Sequence, residues 1–295
     1  MTRSTISSGS TDGAAAPGNK SPPQWASRRL RRLVGHLLAG ATALGCASAL
    51  RQPPPLPPNK AGGETCAALM EQAEASWARR PDKAAVRRAA ALFLAAASAD
   101  ATRIDGLLGV VRTKAWLIEH GAEPAERASL ATSAVDAGEW CESRAPKCPA
   151  CHYALALALG LQARERQATA NQGLKIMMEK LRQAAEEDPR LDFGGPHRVL
   201  AVLLTKAPPW PLGPGDADRA VEEAEKAVRL FPDYPPNQLA LAEAFLGAGA
   251  IDKGRDASRR ALEGAQRAVR EGNPDARDWV RDIEKMMARA RFTTG

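Results

Sequence analysis

From residue 64 onward, apolar residues recur at intervals of three and four, the spacing that lays one side of a helix against a neighbour. The pattern predicts helices over roughly 64–79, 82–99, 103–120, 123–141, 151–166, 169–187, 196–206, 216–230, 236–248, 252–270 and 275–290. Pro, Gly or Asp-Pro stands at most of the boundaries, where a missing N–H or a flexible backbone stops a helix. No run of period-two alternation interrupts the series, so the fold class it predicts is all-α.

A slower repeat lies beneath the helices. Ala220, Ala224, Ala227 and Pro232 have the spacing of the second helix of a TPR, in which small residues sit at helix crossings and a proline ends the helix. Met177, Leu181, Ala184 and Pro189 repeat it, and Ala89, Phe93, Ala96 and Asp100 repeat it again with Asp near the terminus. Leu241, Ala242, Phe245 and Gly249 supply the large/small/large/Gly pattern of a first helix. The expectation is a TPR-like helix-pair solenoid or bundle over 64–295, with a continuous core and a concave face or groove for a ligand. Aromatics at 4% and an excess of Ala, Leu, Glu and Arg agree, because little is left to furnish strands.

The front of the chain reads differently. Arginines at 28, 29, 31 and 32 precede an apolar run from Leu33 to Leu44, then Gly45 and Cys46. This is the basic, apolar and small-residue order of an export signal, too short to span a bilayer. A cysteine directly after the small residue predicts lipidation of Cys46, although Ala43 stands where such signals prefer a branched aliphatic. Residues 1–45 are thus read as leader and lipoprotein-type signal, and 46–63 as a Pro-rich tether that holds the body off a membrane. Ala47 rather than aspartate follows the lipidated position, which favours the outer membrane and a periplasmic body.

Charge changes the picture mainly by where it lies. Of 41 basic and 34 acidic residues, six and one precede Cys46, so the body is nearly neutral and gives no reason to expect a nucleic-acid partner.

The least ordinary stretch is 188–237. Gly194 and Gly195 lead into Pro196 at the first turn of a helix, which places His197 and Arg198 near a helix N-terminus. The loop APPWPLGPGD sets Trp210 among prolines and ends on Asp216 as an N-cap. Trp210 there either plugs a core gap or walls a ligand pocket or partner surface.

Three motifs in order now resemble a known family: G-P-x-R-x-L at 195–200, W-P-L-x-x-G-D at 210–216, and P-D-x-P-x-N at 232–237. They are similar to the T-component (TatT) lipoproteins associated with TRAP transporters, and the resemblance covers about 148–250. It implies a periplasmic helical bundle of TPR hairpins with an apolar groove or pore. It also implies a partner, the solute-binding subunit of a TRAP-type transporter, and a small hydrophobic ligand such as an organic acid. The surface expected to carry this is Tyr153, His197, Arg198, Trp210, Tyr234 and Asn237. Arg198 is placed to receive a carboxylate and Trp210 to cover an apolar tail. A homo-oligomer also fits.

Cys66, Cys141, Cys148 and Cys151 form an even set in an oxidising compartment, which predicts disulfides. Cys141 with either Cys148 or Cys151 would clip one helix hairpin. A rival reading is CPACH at 148–152, the spacing of c-type haem attachment and hence of electron transfer. Structural zinc on Cys148, Cys151 and His152 lacks a fourth ligand. No metal or cofactor is otherwise expected.

His120, His152 and His197 read as cap, core or loop residues, and Glu186/Glu187 and Glu222/Glu223 as solvated faces. Without GxSxG, Walker or HExxH patterns, the sequence predicts a binding protein and not an enzyme. A scaffold lipoprotein that contacts only other envelope proteins is the alternative.

Overall fold

The computed structural model describes residues 48–50, 52–58 and 64–292. Cys46 and the signal-like segment lie outside the described residues. The helices are α1 (Cys66–Trp77), α2 (Lys83–Ala99), α3 (Asp105–Glu119), α4 (Pro124–Arg144), α5 (Pro149–Glu165), α6 (Ala170–Glu187), α7 (Leu191–Lys206), α8 (Ala217–Leu230), α9 (Pro235–Gly247), α10 (Ile251–Arg270) and α11 (Ala276–Phe292). A 3-10 turn, Gln167–Thr169, joins α5 to α6. Among the described residues there is no strand, and none of the helices is long and apolar enough to cross a membrane.

Six of the starts have a clear local cause. The side chains of Thr65, Asp82 and Asp216 accept from the free N–H groups of α1, α2 and α8. Proline opens α4, α5 and α9, where its missing donor costs nothing.

Consecutive helices pack as antiparallel neighbours. In addition, from α3 onward each odd-numbered helix touches the next odd one: α3 with α5, α5 with α7, α7 with α9, and α9 with α11. That second set of contacts defines a TPR-like solenoid: odd helices form one layer and even helices the other. The periodic residues of the sequence are its crossings. Ala89, Phe93 and Ala96 of α2, Leu181 and Ala184 of α6, and Ala220, Ala224 and Ala227 of α8 are fully buried, and Met177 is nearly so. At the α2–α3 crossing a Cβ on Gly109 would lie 2.5 Å from the Phe93 ring, so the large side chain needs the glycine opposite.

A disulfide joins Cys141 of α4 to Cys151 of α5, with Cα atoms 5.3 Å apart. Of the two pairings open to Cys141, this one is formed, and Cys66 and Cys148 are free thiols. The Pro-rich segment does not stand clear of the body over its described part. Ala49 is buried and its N–H donates to Gln172 Oε1 of α6 at 2.8 Å. The Trp140 indole N–H donates to the Pro54 carbonyl at 3.0 Å, and Leu56 packs beside Cys141 and Cys151.

Candidate binding groove and the polar knot beside it

The odd-helix layer presents a groove of about 420 Å³ across α7, α9 and α11. Its apolar lining comes from Val199 and Val202 of α7, Pro236, Leu239 and Ala240 of α9, and Met286 of α11. Lys206, Glu243, Asp282, Lys285 and Arg289 supply the charge. Lys206 pairs with Glu243 at 3.1 Å, and Asp282 pairs with Arg281 at 3.2 Å. Among the described residues Lys285 and Arg289 have no carboxylate partner, so the groove carries unbalanced positive charge.

At one end of the groove, four of the six residues expected from sequence converge. The start of α7 is a left-handed turn in which Asp192, Phe193 and Gly194 have φ of 47°, 54° and 77°. The regular right-handed helix begins only after it, which is why the sequence pattern starts this helix at 196. Two successive non-glycine residues with positive φ are strained. Arg198 holds them in place: one guanidinium nitrogen donates to the Asp192 and Phe193 carbonyls (3.1 and 3.3 Å) and to Asn237 Oδ1 (3.1 Å). Its other terminal nitrogen donates to the Asp192 carboxylate at 2.6 Å. The Tyr153 hydroxyl donates to that same carboxylate oxygen at 2.7 Å. A Cβ on Gly195 would lie 2.5 Å from the Tyr153 hydroxyl, so only glycine admits this approach. Asn237, fully buried, donates to the carbonyls of Phe193, Ala227 and Phe231. Tyr234 stacks on Phe193 and meets Trp279 edge-on.

Burial raises the Tyr153 phenol well above the ordinary tyrosine range. Burial alone would pull the Arg198 guanidinium down, but Tyr153, Asp192 and Tyr234 together hold it above its usual value. This is a satisfied knot and not an open receptor. The carboxylate on Arg198 is the protein's own Asp192, which corrects the expectation that Arg198 receives a ligand acid directly. Tyr153 is buried beneath the knot. Only the flank of Arg198 reaches the groove.

The other two residues lie elsewhere. His197 Nδ1 is 2.6 Å from Glu223 Oε2 of α8, whose other oxygen takes Lys226 Nζ at 2.7 Å. Burial pushes the Glu223 carboxyl up, yet the bonds from His197 and Lys226 outweigh it and hold it down at about 2. Glu223 is thus no solvated acid, whereas its neighbour Glu222 is exposed. Trp210 is 86% exposed, so it neither plugs the core nor lines the groove.

The haem and zinc readings do not fit the donor set. Cys151 has its sulfur bonded to Cys141, which leaves one thiol of the pair. The His152 ring is buried in α5 with Nδ1 held 2.7 Å from Glu142. Among the described residues, no group of three His, Cys, Asp or Glu is arranged to hold a metal ion.

A feature the sequence did not suggest joins the two ends of the solenoid. Arg80 after α1 lies 3.4 Å from Asp275, and His120 Nε2 lies 2.7 Å from Asp278 on α11. His120 also stacks on Trp116 at 4.0 Å, and Arg80 sits over Trp77 at 3.8 Å.

No family model matches the chain, and no curated protein does. Solved structures do. A thermophilic TPR protein of Thermus thermophilus is 20% identical, with 74% of this chain and 98% of that one covered and a TM-score of 0.54. MamA protein is 18% identical, with 70% and 96% covered and a TM-score of 0.44. The first of these likenesses agrees with the helix layers above: the chain is an all-α TPR-like helix-pair solenoid.

Proposed function

We propose that this chain is a lipid-anchored periplasmic binding protein of the TatT type, and that its ligand is a small hydrophobic acid held in the groove of α7, α9 and α11. The observation that carries this reading is the groove itself. Its volume of 420 Å³ suits a small organic molecule, its floor is aliphatic, and Lys285 and Arg289 leave it positive. An apolar tail gains by leaving water for that floor, and the acid is drawn to the cations at the rim. The mechanism is passive transfer: the solenoid binds the ligand and exchanges it with the solute-binding subunit of a TRAP-type transporter. Both the partner and the anchor at Cys46 come from the sequence resemblance and the signal-like segment.

The test is in-cell cross-linking from a photoreactive residue at position 202, with the chain exported by its own signal. Cross-links to a periplasmic solute-binding protein support the reading. Cross-links only to unrelated envelope proteins favour a scaffold and contradict it.

A further inference from the structure

The 207–216 loop presents an exposed apolar tip. Trp210 and Leu212 at its tip are 86% and 76% exposed, and with Phe193 they are the large exposed hydrophobics among the described residues. Residues 207–215 contain no charged side chain, and four of the nine are proline, which has no N–H to desolvate. Of the five N–H groups that remain, four are bonded: Ala207 to Leu203, Leu212 and Gly213 to Pro209, and Gly215 to Pro208. Each unbonded backbone donor adds to the cost of bringing a loop into lipid, and here only that of Trp210 is left, while the free carbonyls suit the hydrated headgroup layer and not the hydrocarbon core. Tryptophan at such a tip suits the headgroup boundary, where an apolar ring and a polar N–H are both accommodated.

The start of the docked Pro-rich segment gives the second observation. Helices alternate in direction along the stack, so the α5–α6 and α7–α8 connections fall at the same end. Ala49 is pinned at that end, by Gln172 in the first turn of α6. Cys46 precedes Ala49 by three residues, at most about 11 Å of extended chain. A lipid on Cys46 therefore has only a short reach from the end that carries the Trp210 loop.

We infer that this end is a bilayer-facing surface, with Trp210 and Leu212 seated in the interfacial layer as a second, non-covalent contact beside the anchor. A lipoprotein-type anchor carries at least two acyl chains and holds a protein stably by itself, so such a contact chiefly fixes the orientation of the body on the bilayer. The side of the molecule that meets the membrane rests on the anchored reading above, whereas the chemistry of the loop does not.

The experiment is depth-resolved quenching of tryptophan emission by phosphatidylcholine/phosphatidylglycerol vesicles with brominated acyl chains. The lipidated full chain is compared with Trp210→Phe, so that the difference isolates Trp210. Its emission is expected to fall at least about twofold, most strongly with bromine near the headgroup. In an unlipidated Cys46→Ser chain, Trp210→Ser with Leu212→Ser is expected to lower vesicle partitioning about tenfold or more. If the lipidated chain is vesicle-bound but Trp210 is unquenched, the loop proposal fails and the anchor reading stands. If Cys46 carries no lipid, the anchor reading fails and the Cys46→Ser comparison decides the loop. Partitioning indifferent to Trp210 and Leu212, or shielding of Trp210 by a co-purified protein, overturns the proposal.

Discussion

At the scale of single residues, strain and its compensation meet at Arg198. Replacing it with leucine leaves the Asp192 and Phe193 carbonyls and Asn237 without their shared donor. Urea unfolding is expected to show a loss of about 2–4 kcal/mol. Arg198→Lys keeps the charge but not the fork, and is expected to recover less than half of that. A loss below about 0.5 kcal/mol would mean that the left-handed turn holds itself. Glu223 gives a pH prediction whose sign follows from its depressed value. Its carboxyl titrates at about 2 in the fold against 4.5 unperturbed. Its stabilisation is therefore complete above about pH 4.5 and is lost as pH falls toward 2. The stability gap between the native chain and Glu223→Gln should close over that window. These residues also mark how much of the site was legible. Gly-Gly-Pro before a helix pointed to Arg198, and a P-D-x-P-x-N stretch pointed to Asn237. Asp192, the hub between Tyr153 and Arg198, has no local signal, because its role comes from a left-handed turn that apolar periodicity does not encode.

At the scale of elements, helix existence was almost fully legible, since each helix carries its own apolar period and most have a capping side chain, Pro or Gly at a boundary. Which elements touch was not. The CPACH run offered three chemistries from its spacing alone, and only the geometry of the α4–α5 hairpin makes Cys151 the partner of Cys141. Converting both to serine is expected to cost about 2–3 kcal/mol for a ring of this size. Peptide mapping without reductant should find the 141–151 link, with Cys66 and Cys148 open to alkylation. The Pro-rich segment reads as a free tether because its composition is extended and polar-backboned. What attaches it is Trp140, which supplies a donor to Pro54 from 86 residues away. Trp140→Phe should raise amide exchange over 48–58 at least several-fold while leaving α4 protected. If exchange stays unchanged, apolar packing at Ala49 and Leu56 carries the docking alone.

At the scale of the whole molecule, the repeat sets the two layers, and long-range side-chain pairs set the closure. Arg80–Asp275 and His120–Asp278 join segments that no periodic argument connects. Partly exposed pairs contribute on the order of 1 kcal/mol each. Asp275→Asn with Asp278→Asn should therefore change the unfolding midpoint little, yet open the solenoid and raise its radius of gyration in small-angle scattering. The same layer that these pairs close contains the groove proposed to hold the ligand. The direct test is native mass spectrometry of the exported chain beside Val202→Glu and Lys285→Glu/Arg289→Glu variants that keep the native melting profile. A small acidic molecule is expected on the native chain, released on denaturation and absent from both variants. An equal load on native and variant chains, or an empty native chain, would contradict binding in the groove.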